Sequence, residues 1–354
     1  MASQGEQQSA SVGPWVNGRP PSSESMQEPE LQQIRLRYRL SPPTFGILCT
    51  IGKSPDRREV LHRACLATEL RSFPLRQAER GFFREINDHL PIPYPVKENV
   101  SEPWHKAFLL VQIQLQRMPW PNKLPANVRK ELHCEEKRIG KVLEAGLRCL
   151  VDILGLRRDG RGLSVALDVL RSVKASVWEG SDNEILQLEG LGLRSREKLA
   201  AAKIKTVKQL AKLEFWHIER LLSRNPPFGQ HMLRQLAAFP VLTLQFDIVR
   251  QCSASHPTGV TVTPSSAVCS WIARATVDYE NEASPLWAKS TPWTTLVIEG
   301  DDGRLVWFWR GSVKRLAGGK ELILRLDARK GEELKITFAC ENVVGTMVRI
   351  THQV

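Results

Sequence analysis

Apolar positions recur at helical spacing through the first two-thirds of the chain and alternate in short runs through the last third. Residues 1–33 carry Ser, Gln, Glu and Pro but few large apolar side chains, so they bury too little surface to offset ordering and are expected to be disordered. Val60, Leu61, Ala64 and Cys65 predict a helix over 57–68, and a second is expected from near Pro74 to His89. The prolines of Pro91-Ile92-Pro93-Tyr94-Pro95 mark an extended link. Ser101 then reads as the N-cap of a helix running from His105 to Arg117, with Ala107, Leu110, Val111, Gln114 and Leu115 on one side. Pro119 and Pro121 end it.

The longest helix is expected from about Pro125 to Gly155. With Lys137 at 0° and about 100° per residue, Ile139, Leu143, Gly146, Leu150 and Ile153 fall at roughly 160–240°. Lys137, Lys141 and Arg148 form the opposite stripe, with Glu144 among them. Such a stripe is either a solvated face or a face that tracks nucleic acid. A further amphipathic helix carries Leu163, Leu167, Leu170 and Val173.

Gly190-Leu191-Gly192 reads as a tight turn between helical segments, where glycine accepts unusual φ/ψ and admits another backbone. Arg194, Arg196 and Lys198 follow on the next helix. The start of a helix presents unpaired N–H groups and a positive dipole end. The N–H groups of Leu191, Gly192 and Leu193, with these three cations beside them, are therefore candidates to hold a phosphate. A plain packed hairpin is the alternative. After Leu222, Pro226, Pro227 and Gly229 break the helical pattern, and a last helix is expected over 230–238.

At Pro240 the pattern changes. Strands are expected at 241–250, 259–263, 268–279, 294–299, 305–309, 321–327, 334–340 and 347–352, with Asp301-Asp302-Gly303 as a hairpin turn. Seven or eight strands in that length predict an immunoglobulin-like β-sandwich, with Trp307 and Trp309 on one face of a strand. The fold class is thus multidomain, α then β. A tail or linker (1–40) precedes a helical bundle (41–179), a hairpin domain (180–240) and the β-sandwich (241–354).

Charge sharpens this picture. The net charge of +12 is concentrated mid-chain: 23 Lys and Arg face 15 Asp and Glu in 41–175, and ten face six in 180–240. The β segment, with 13 against 12, is nearly neutral. A basic surface for a polyanion is expected in the middle of the chain. The seven cysteines show no Cys-x-x-Cys and no zinc spacing, so buried free thiols, no metal and no cofactor are expected. No secretory leader pattern and no apolar run of about 18 residues occurs, so no membrane contact is expected. Gly46 to Ser54 reads GILCTIGKS, but five residues separate its glycines where a phosphate loop needs four.

The hairpin stretch 188–207 resembles a helix-hairpin-helix motif, except that Lys203 stands where many such motifs carry glycine. Together with YPVKENVSEPWHKAFLLVQIQLQR (94–117) and the long helix carrying Arg138-Ile139-Gly140-Lys141, it resembles the Sec-sixty-three homology module of superfamily-two helicases over about 44–354. LLSRNPPFG (221–229) is most similar to the meiotic Mer-three-type crossover DNA helicases. The resemblance implies that the long helix is a "ratchet" lining a single-strand channel, with Lys137, Lys141 and Arg148 on it. It further implies single-stranded or branched DNA as partner, RNA not being ruled out, and a nuclear setting in homologous recombination. A helicase motor or a recombination protein would dock on the β-sandwich. The motor's own Gly-x-x-x-x-Gly-Lys-Thr and Asp-Glu-x-His boxes are not found, so no catalytic residue is expected here. The chain is then a detached C-terminal module, a truncated product or half of a split motor. Two other readings stand beside this one: the equivalent module of a spliceosomal-type RNA helicase, and a protein-interaction scaffold that binds no nucleic acid.

Overall fold

The computed structural model describes residues 28–252 and 268–354; the expected strand at 259–263 and residues 1–27 of the expected tail lie outside the described residues. Residues 28–33, expected to lack structure, instead open helix α1 (Glu28–Tyr38). The reason lies at its end. Ile34 is buried, and Arg37 Nη1 and Tyr38 Oη each donate at 2.8 Å to Asp152 Oδ2, far away in sequence.

The bundle continues with α2 (Pro42–Cys49), α3 (Arg57–Cys65), α4 (Arg80–His89), α5 (Pro103–Leu115), α6 (Ala126–Leu156) and α7 (Gly160–Ala175). The long helix lies where its periodicity puts it, and all five residues of its predicted apolar face are buried. Helix α4 starts later than expected, at Arg80. A short 3-10 turn over Gln77–Glu79 precedes it and turns Glu79 into the core. The amphipathic reading of α5 needs correction, because α5 is buried on nearly all sides. It is capped from within: His105 Nδ1 accepts the N–H groups of Ser101 (3.1 Å) and Glu102 (3.0 Å), and Glu102 rather than Ser101 is the N-cap. Lys106, fully buried, donates to both Glu79 oxygens (2.9 and 2.8 Å) and to Glu135 of α6 (2.6 Å). A buried charge must be paired, so this triad fixes α4, α5 and α6 against one another.

After a 3-10 turn at Glu184–Gln187 come α8 (Leu193–Ala201), α9 (Val207–Leu210), α10 (Phe215–Leu222) and α11 (Phe228–Ala237). Seven strands follow among the described residues: β1 (Leu242–Gln251), β2 (Val268–Tyr279), β3 (Trp293–Glu299), β4 (Leu305–Ser312), β5 (Lys320–Arg329), β6 (Glu333–Cys340) and β7 (Val348–Gln353). They form two antiparallel sheets, β1-β2-β5 and β4-β3-β6-β7. Inward positions of both, such as Ala273, Val277, Leu296 and Phe338, meet in one core. Trp307 is buried and Trp309 packs against the same core. The chain is therefore mixed α and β.

The packing runs across the expected segment boundaries. One core joins α8–α11 directly to both sheets, through Leu210, Ile218, Leu236, Phe239 and Leu242 among others. The bundle core takes in Val297, Leu305 and Phe308 from β3 and β4. The Asp301-Asp302-Gly303 turn, with Gly303 at φ +78°, is docked on the α6–α7 corner: Arg161 N–H donates to Gly303 O at 3.0 Å, and Leu305 N–H to Arg158 O at 2.8 Å. Buried charges sit at the same junction. Asp152 also faces Arg310 of β4 (3.3 Å), which pairs with Glu341 (2.5 Å), while Arg171 of α7 donates to the Cys340 carbonyl (2.6 Å). Cys65, Cys149 and Cys340 are buried, and burial pushes the Cys340 thiol up to about 12. Cys134, expected inside, lies exposed on the polar face of α6. No helix among the described residues is long and apolar enough to cross a membrane.

Candidate nucleic-acid interface

The stripe on α6 divides in two. Lys137 and Lys141 are exposed and make no ion pair among the described residues. Arg148 is half-buried, 3.4 Å from Glu144 and 3.8 Å from Glu341. Glu144 also receives Lys174 of α7 at 2.8 Å. Charge in the second half of the stripe is thus balanced and tied to the sheet junction. Among the described residues, the cations of the stripe without an ion pair, Lys137 and Lys141, are in the first half.

The hairpin separates the roles of its two glycines. Gly190 has φ +85°, the left-handed region glycine favours, and a Cβ there would lie 3.3 Å from the Phe228 ring. Gly192 is extended (φ −118°, ψ −178°), and a Cβ there would meet nothing within 4 Å. Gly192 is the N-cap of α8, and no side chain caps that helix. The Leu191 N–H leans back to Leu188 O at 3.5 Å; those of Gly192 and Leu193 lie at the start of the helix, where intrahelical acceptors are lacking. Lys203 takes the glycine-like conformation itself, at φ +61°.

The three hairpin cations differ in freedom. Arg194 is exposed and without an acidic partner among the described residues. Arg196 donates to Asn183 Oδ1 at 3.0 Å. Lys198 caps the end of α10, donating to Leu222 O (3.2 Å) and Ser223 Oγ (2.9 Å). A phosphate would meet Arg194 without competition, whereas Arg196 and Lys198 would have to share.

A chain of contacts links the two surfaces. Asn183 Nδ2 donates to Gln116 O at 3.2 Å while its Oδ1 holds Arg196. Arg117, at the end of α5, is exposed and reaches Ala175 O at 3.5 Å, one residue from Lys174. Arg117 therefore stands between the α6 stripe and α8. Sequence reasoning missed it because it falls where its helix ends. Arg224 was missed too: its guanidinium sits 5.4 Å from the Phe228 ring centroid, and Phe228 abuts the hairpin turn. The glycine-spaced segment at 46–54 is elsewhere and is no phosphate cradle. Gly46 is inside α2, and the Ser54 N–H is taken by Asp159 at 2.5 Å.

The description "Sec63 Brl domain" applies to the family model that matches residues 30–353. Among curated relatives, the ATP-dependent DNA helicase MER3 of Saccharomyces cerevisiae is 21% identical over 81% of this chain and 24% of its own length. The probable ATP-dependent DNA helicase HFM1 of Homo sapiens is 22% identical over 89% of this chain and 21% of its own length. That of Xenopus tropicalis is 22% identical over 61% and 16% respectively. This chain spans less than a quarter of the length of these relatives.

Proposed function

The chain belongs to the Sec63 Brl domain family, and we propose that it is the nucleic-acid-binding module of a meiotic DNA helicase, working in recombination in the nucleus. The observation that carries this reading is the exposure of Lys137, Lys141 and Arg194, none of which makes an ion pair among the described residues. That its relatives are ATP-dependent DNA helicases, established or probable, supports the substrate class. In this reading 188–207 is a helix-hairpin-helix motif and α6 a ratchet-type helix. The sheets are an immunoglobulin-like sandwich: the first, second and fifth strands share one sheet, and the rest form the other. The nearly neutral sandwich docks a motor or a recombination protein.

Phosphate contacts position a strand without reading it, so binding is sequence-tolerant and steeply salt-dependent. The test is a salt titration of wild type, Lys141→Ala and Arg194→Ala on mixed-sequence single strands. Each variant is expected to weaken all sequences alike and to lower the log–log slope by about 0.7, the value for one contact on a single strand. Variants matching wild type in both affinity and slope would leave these cations as a solvated face. Matched DNA and RNA strands tell the DNA reading from the RNA one through the 2′-hydroxyl.

A further inference from the structure

The Leu221–Gly229 stretch is bound up with the hairpin through two consecutive residues. Phe228 lays its ring against Gly190. Gly229 lies so close to α10 that a Cβ would be 2.1 Å from the Phe215 carbonyl oxygen, and its N–H donates to buried Glu219 at 2.8 Å. These two neighbouring residues therefore tie the first turn of α10 to the hairpin turn.

That first turn carries Phe215, Trp216 and His217, all exposed. Trp216 is 47% exposed and Phe215 39%. The Trp216 indole and His217 imidazole are stacked, with centroids 3.9 Å apart and planes 24° from parallel. Arg220 follows Trp216 by one turn on the same helix face and is exposed. Three adjacent aromatic rings kept in water by a clamped backbone have no role in the core. They sit in a segment with ten Lys and Arg against six Asp and Glu, beside the surface assigned to phosphates.

We propose that Trp216, backed by His217, is a base-stacking platform for single-stranded nucleic acid whose phosphates lie at the hairpin. The proposal rests on the nucleic-acid reading above and adds a contact of another kind. A cation neutralises a phosphate, whereas an aromatic face takes any base and releases no counterion. Gly229 holds the platform in place, and Arg220 lies one turn along the same helix face.

The test uses the full chain at fixed salt, with a deoxythymidine strand and its abasic counterpart of equal length, read by fluorescence anisotropy. Trp216→Ala is expected to lower affinity for the thymidine strand roughly five- to 150-fold, the range for one stacked base, with the salt slope unchanged. Trp216→Phe should recover most of it. On the abasic strand wild type and Trp216→Ala should bind alike. Equal weakening of Trp216→Ala on both strands would overturn the stacking role. So would a Trp216→Ala variant that binds thymidine like wild type while Arg194→Ala binds weakly. That outcome would leave the aromatic turn as a contact for another protein, with the phosphate reading intact. If Arg194→Ala and Lys141→Ala also match wild type, the nucleic-acid reading falls with it.

Discussion

Gly190 is glycine for the fold, and Gly192 is not. A side chain at Gly190 would be strained at φ +85°, at a cost of about 1–2 kcal/mol, and would press on Phe228. Gly192 has ordinary backbone angles and open space around it. Serine is a good N-cap, so Gly192→Ser should melt at or slightly above the wild-type temperature. The same variant should bind single strands more weakly if a phosphate approaches that backbone, and thermal melts alongside anisotropy check both halves. Lys203 is the converse case, a side chain in a glycine conformation at the end of α8. Lys203→Gly is expected to gain about 0.5–1 kcal/mol, the relieved strain being offset in part by a freer unfolded chain, measurable by urea denaturation. The departure from the motif was visible in the sequence. That the backbone nonetheless keeps the left-handed turn was not.

At the scale of elements, the sequence showed most where one face is apolar and one is wet. Helix α6 and the strands β2, β5 and β7, whose burial alternates, follow their periodicity closely for that reason. It showed least where an element is buried all round. Helix α5 hides Lys106 in an apolar run, and only the fold brings Glu79 and Glu135 to meet it. Lys106→Ala would leave Glu79 in the core without its cation, while Glu135 keeps Arg76 at 2.7 Å, and a loss of about 3–5 kcal/mol is expected, seen as a large fall in melting temperature. The candidate site divided in the same way: the exposed cations were readable, but their partners, Asn183 for Arg196 and the end of α10 for Lys198, come from tertiary contact. Glu184 gives a pH test of the hairpin's footing. Burial holds its carboxyl above the usual range, while the Val207 N–H, donating at 2.8 Å, pulls the other way. The folded state then binds the proton more tightly than the unfolded state. The resulting stabilisation is fully present below the unfolded value, about 4.3, and is lost as pH rises through the folded one. Glu184→Gln keeps an acceptor for Val207, so it should melt higher than wild type at pH 8, with the difference shrinking towards pH 4.

At the scale of the molecule, the change of pattern at Pro240 marks a change of secondary structure and not a break in packing. The helices before it and the strands after it share a core, and β3 and β4 fill part of the bundle's. The charges of the junction are also shared. Asp152 of α6 is shared between Arg37 of α1 and Arg310 of β4, and Arg310 pairs in turn with Glu341. Removing residues 241–354 would expose apolar surface on two sides and leave Asp152 without Arg310. A chain ending at residue 240 is therefore expected to lose its cooperative melt, and a drop in its nucleic-acid affinity would report unfolding and say nothing about contacts made by the sheets. The informative variant is Arg310→Met, which cuts one joint and keeps the chain. It leaves Glu341 buried beside Arg148 alone, and a loss of about 3–5 kcal/mol is expected. If bundle and sheets unfold as one unit, helical circular dichroism and tryptophan fluorescence should shift together in this variant, in a single transition. Two separated transitions would show that the shared cores do not couple the halves.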